Sequence, residues 1–85
     1  MNLDLETMAV DSRASFAHFL SLLRQELDST PELWSNNSLP AFLEAIESYA
    51  LDIDGFYLNT NQVVDANVPS WQNFANILRG ARMYE

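Results

Sequence analysis

The stretch SLPAFLEAIESYALDIDG, residues 38–55, decides the fold class. Leu39, Phe42, Leu43, Ile46, Tyr49, Ala50 and Ile53 recur at steps of three and four, the spacing of one continuous helix face. Ser38 precedes that face as an N-cap, where a hydroxyl satisfies an orphan N–H of the first turn. Pro40 falls inside the first turn, where its missing N–H costs nothing. Gly55 is placed to stop the helix in the left-handed C′ position. On that reading Gly55 has positive φ, and Gly55→Ala costs about 1 kcal/mol or more.

The same punctuation occurs on either side. Ser12/Phe16 and Ser70/Phe74 repeat the serine-to-phenylalanine spacing of Ser38/Phe42. Phe16, Phe19, Leu20, Leu23 and Leu27 continue the first stripe, with Asp11 or Ser12 as its cap. Trp71, Phe74, Ala75, Leu78 and Ala81 form the last, with Ile77 and Tyr84 to one side. Gly80 costs roughly 1 kcal/mol against alanine there, and reads either as a close helix–helix approach or as a frayed end. Thr30-Pro31 is a cap-and-first-position pair for a short helical turn carrying Leu33 and Trp34, and Ser35-Asn36-Asn37 is turn chemistry.

The expected architecture is all-α: a small helical bundle with main helices over about 12–28, 38–54 and 70–83, and a short turn near 31–34. Short connections make the first two helices near-antiparallel neighbours. Residues 55–69 read as a long loop, with a small hairpin of Phe56–Leu58 and Gln62–Val64 as the alternative. Residues 1–85 suit one domain. Residues 1–10 read as a mobile N-terminal arm whose Leu3, Leu5, Met8 and Val10 can still lie across a neighbouring helix.

Charge bounds the partners. Twelve acids face four arginines and no lysine, for a net charge of −8. Such a chain repels phosphate backbones and anionic membrane surfaces, so neither nucleic acid nor membrane is expected as a partner. It has no cysteine, so disulfides and thiolate metal sites are excluded. The opening MNLDLETMAV lacks the basic and apolar regions of a signal peptide, and no run approaches a membrane span; a cytoplasmic protein is expected.

Few residues suggest chemistry. His18 is the only histidine and lies about 160° from the centre of its helix's apolar face, toward solvent. Asp52 and Asp54 end a helix whose C-terminus already carries partial negative charge, which costs about 0.3–1 kcal/mol each. An EF-hand reading fails, because the glycine comes too early and residue 63 is Val63. The structural reading is a turn defined by Asp52, Asp54, Gly55, Ser70 and Trp71. In it Asp54 accepts N–H groups of residues 55–61, and Asp52 meets Arg79 or Arg82. No catalytic, cofactor-binding or metal-ligating residue is expected.

Glu44, Glu47 and Asp54 fall within about an 80° arc on the polar side of the middle helix. Trp34, Trp71, Phe56 and Tyr57 lie near helix ends, where aromatics anchor loops; Tyr57 with Leu58 is the expected exposed pair. Glu44, Glu47, Asp54, Tyr57 and Leu58 make up the candidate interaction surface.

Three segments carry a family resemblance: FLSLLRQEL, PELWSNNSLPAFLEAIESYALDIDGFY and VPSWQNFANILRGARMYE. Trp34, Asn36, Leu39, Phe42, Leu43, Glu44, Ala45, Asp54, Gly55, Tyr57, Pro69, Ser70, Trp71 and Phe74 match its pattern. The chain resembles, over roughly residues 16–85, a family of small uncharacterised bacterial proteins that carry a domain of unknown function. The resemblance implies a compact helical domain without an established activity, so no catalytic residue carries over. It favours reading the Asp-Gly turn and the Ser-Trp cap as fold-defining.

The function expected from these observations is a non-catalytic protein-interaction module with a protein partner, basic by charge complementarity. One alternative is an immunity- or antitoxin-like inhibitor that masks a basic toxin surface. The other is a small hydrolase using Asp52, Asp54 or His18. A weak homodimer through Tyr57/Leu58 or Ile77/Tyr84 is also expected, since an 85-residue monomer leaves apolar surface uncovered.

Overall fold

Three serines start three helices. In a computed structural model, which describes Leu5 and residues 8–84, α1 spans Arg13–Ser29, α2 Leu39–Asn59 and α3 Trp71–Ala81. Ser12, Ser38 and Ser70 are the N-caps, accepting from the N–H groups of Ser15, Ala41 and Asn73 at 3.1, 3.3 and 3.1 Å. Ser15 reciprocates by accepting from the Ser12 N–H, which closes a capping box and settles the cap of α1 on Ser12. A 3₁₀ turn at Pro31–Leu33 joins α1 to α2. No strand forms among the described residues, so the alternative hairpin is absent.

The middle helix runs five residues past its expected end. Gly55 has no positive φ and lies inside α2; the left-handed residue is Asn61, at φ 58°. The Asn61 N–H donates to Leu58 O at 3.2 Å and the Gln62 N–H to Tyr57 O at 2.9 Å, the paired closing bonds of a Schellman stop. Asp52 and Asp54 therefore stand within the helix rather than at its C-terminus, and the penalty assigned to them disappears. The long loop shrinks to residues 60–70.

Gly55→Ala consequently has the opposite sign to the sequence expectation. A Cβ at Gly55 meets nothing within 4 Å, and the helical backbone there favours alanine. The substitution raises stability by about 0.5–1 kcal/mol. Urea denaturation followed by tryptophan fluorescence checks it; a loss of that size would restore the left-handed reading.

The third helix is the centre of the fold. It packs on α1 along one side and on α2 along another, whereas the backbones of α1 and α2 make no close approach. The expected pairing of the first two helices is thus wrong. The main core gathers Phe19 and Leu23 of α1, Ala75 of α3, Trp34 from the connection, and Leu5 and Val10 from the N-terminal segment. Those last two cover the core where the sequence suggested a mobile arm; Leu3 lies outside the described residues. Trp34 is buried against Phe42, with ring centroids 5.2 Å apart, and so acts as the loop anchor expected of it.

The inward face of α2 is narrower than the sequence stripe. Ala45, Ile53 and Tyr57 are buried, but Leu39, Leu43 and Ala50 lie outside it. Trp71 and Phe74 are also partly exposed; Trp71 packs on Phe16 at 5.4 Å between centroids and meets Phe74 edge-on.

Candidate functional site

The phase set by Ser38 decides which side chains of α2 reach solvent. With Ala45, Ile53 and Tyr57 turned inward, the opposite side presents Glu44, Glu47, Leu51, Asp54 and Leu58, all exposed. At the helical period these five fall within an arc of about 80°. Leu51 and Leu58 are 77% and 78% exposed, and Leu43 at the edge of the arc is 56% exposed. Leucines left in water to this extent contribute nothing to the fold's own core. None of the three acids is ion-paired among the described residues. The Asp54 carboxylate accepts only the adjacent Gly55 N–H, at 2.9 Å, rather than holding a turn.

The structure thus brings together four of the five expected surface residues. Tyr57 is the exception. It is 2% exposed, four residues beyond Ile53 on the same inward side. Its hydroxyl donates to Asn73 Oδ1 at 2.5 Å and accepts from Asn76 Nδ2 at 2.9 Å. Tyr57 therefore belongs to the interior and is not available to a dimer contact. Leu51 was not legible as a surface residue from the stripe alone. The signal that finds it is its seven-residue spacing from Leu58.

The buried and half-buried polar side chains of α3 are used in holding that helix in place. Asn73 Nδ2 donates to the carbonyls of Asp65 and Val68 at 3.1 and 2.8 Å, which fixes the loop leading into the helix. Gln72 donates to Asn76 at 3.0 Å and accepts the Val10 N–H at 2.7 Å. Arg79 donates to Leu5 O at 2.9 Å and also to Asn76. These bonds tie α2, the loop and the N-terminal segment to one helix. Among the described residues no buried side-chain polar atom lacks a partner, so the interior shows no unsatisfied group aimed at a ligand.

A second cluster closes the far end. Glu26 Oε1 accepts from Arg82 Nη1 at 2.6 Å and from Trp34 Nε1 at 2.8 Å. Asn36 Nδ2 donates to Ala81 O and Tyr84 O at 2.9 and 2.7 Å, and the Asn36 N–H to Arg82 O at 3.0 Å. Asn36 thereby caps the C-terminal carbonyls of α3 from the connection between α1 and α2. Asp52 does not meet Arg79 or Arg82; it accepts from the Tyr84 hydroxyl. That hydrogen bond raises the Tyr84 phenol above its usual range, and burial does the same for Tyr49.

His18 is exposed on α1, which makes no backbone approach to the helix carrying Asp52 and Asp54. The three do not form a constellation. Among the described residues no three histidine, aspartate or glutamate side chains stand together as a metal site would require, and no helix is long and apolar enough to cross a membrane.

A model of a family of unknown function, DUF7660, matches residues 12–85. The chain belongs to DUF7660. No curated protein and no solved structure matches it. In this DUF7660 chain the Trp34-x-Asn36 pair joins the last helix to the first, through Glu26 of α1 and through the C-terminal carbonyls of α3. Ser70 is an N-cap and Trp71 packs on α1, so the Ser-Trp pair shapes the fold. The Asp54-Gly55 pair, by contrast, forms no turn.

Proposed function

We propose that this DUF7660 chain is a non-catalytic protein-interaction module and that the outward face of α2 is its docking surface. The observation that carries the reading is the pairing of two leucines more than three-quarters exposed with three carboxylates that form no ion pair among the described residues, all on one helix side. Solubility requires the acids but not the leucines. Exposed apolar side chains framed by charge are the composition of a site that buries a partner. With a net charge of −8, the partner's contacting surface is basic.

Capture of binding proteins from the source cell, with the wild-type chain and with Leu51→Ser/Leu58→Ser compared side by side, tests it. Both leucines are exposed, so the variant retains its fold by circular dichroism. A bound protein retained by wild type and lost by the variant is the expected result. Association of that protein also slows in Glu44→Gln/Glu47→Gln, with a smaller salt dependence. Retention by both chains to the same extent overturns the α2 face as the docking surface.

A further inference from the structure

The five outward residues have an order as well as a face. Glu44, Glu47, Leu51, Asp54 and Leu58 follow steps of three, four, three and four, the spacing of a seam between two packed helices. All five are exposed, and their centre lies about 160° from that of the buried side of α2. They form a second face of the helix, nearly opposite the one the fold uses. Beside it stand Ser48, Ala50 and Gly55. Gly55 weakens α2, yet no described residue stands within 4 Å of the space it leaves. Small residues flanking a seam let a second helix backbone come close.

Resting on the interaction reading, we infer that this face is one half of a two-helix seam whose other half is a basic amphipathic helix of a different protein. Carboxylates at three seam positions exclude a second copy of this chain. Antiparallel pairing centred on Leu51 sets Glu47 against Asp54, and parallel in-register pairing sets every acid against itself. Such like-charge juxtapositions oppose association in both orientations. A helix with lysine or arginine opposite Glu44, Glu47 and Asp54, and leucine opposite Leu51 and Leu58, satisfies every position. The acids then fix the register, as polar residues do in a coiled-coil seam.

Synthetic helical peptides supply the probe. One carries Lys, Lys, Leu, Lys, Leu at the three-four spacing for a parallel partner, and a second carries the reverse order for an antiparallel one. A third replaces lysine by glutamate, and a fourth keeps the composition but is broken by two prolines. One of the two basic helical peptides binds the intact chain at least about tenfold more tightly than either control, and amide shifts concentrate between residues 43 and 58. In Gly55→Ala that peptide binds several-fold more weakly, although the free chain is more stable. Equal binding of the proline-broken peptide, shifts centred on another element, or a doubled mass of the free chain in light scattering overturns the seam. If no peptide binds but a captured protein still depends on Leu51 and Leu58, the seam falls and the interaction reading stands. If that dependence is also absent, both fall.

Discussion

Glu26→Ala lowers the stability of the chain by about 1–3 kcal/mol, the range for removing a half-buried partner of a buried charge and orphaning a buried donor. One carboxylate oxygen, Oε1, receives both Arg82, which is 4% exposed, and the indole N–H of the buried Trp34. Without it a guanidinium enclosed by protein loses this carboxylate, and the indole loses its acceptor. Glu26→Gln retains an acceptor for Trp34 and costs roughly half as much, which separates the charge from the hydrogen bond. Trp34→Phe reports the indole bond by itself. Urea midpoints of the three variants, followed by circular dichroism, give the ordering. Equal midpoints for wild type and Glu26→Ala would mean that Arg82 is held by its other contacts alone.

Gly80→Ala also destabilises, by about 1–3 kcal/mol, although alanine is the better helix former by roughly 1 kcal/mol. A Cβ at Gly80 overlaps the ring of Tyr49. That ring also packs, tilted, on Tyr84 and Phe56 at centroid distances of 5.0 and 6.4 Å, so displacing it disturbs both contacts. The cost belongs to the pair rather than to the glycine. In a Tyr49→Ala background, therefore, Gly80→Ala becomes neutral or stabilising by up to about 1 kcal/mol. A double-mutant cycle measures the coupling, and additive effects would show that the two elements are not in close contact. Of the two sequence readings of Gly80, close helix approach is the one the structure supports.

Helix starts were legible because each rests on a local hydrogen bond that a serine announces. Ends were not. Asp54-Gly55 has the form of a stop, but Tyr57 continues the inward side of α2 and gains two side-chain amides from α3, so packing overrides local preference. The real stop needs an asparagine in the left-handed region, a weaker signal than glycine. The central place of α3 was hidden for a related reason. Asn73 and Asn76 are buried, whereas a sequence reading assigns asparagine to the surface and makes this helix one-sided. Of the candidate surface, Glu44, Glu47 and Asp54 followed from spacing, whereas Leu58 was expected in the open from a loop and is exposed on α2 instead. Leu51 did not follow, since apolar residues are assigned inward by default, and Tyr57 failed because its exposure depended on the helix ending early.

The placement of α3 between two helices whose backbones do not meet has a consequence during synthesis. A growing chain emerges from its N-terminal side, and α1 and α2 leave the ribosome before the element that joins them. Between them the side chains meet at Phe42 of α2 and Trp34 of the connection, but the packing that each helix makes with α3 is still to come. The contacts that complete the fold therefore wait for the last of the three helices to be made.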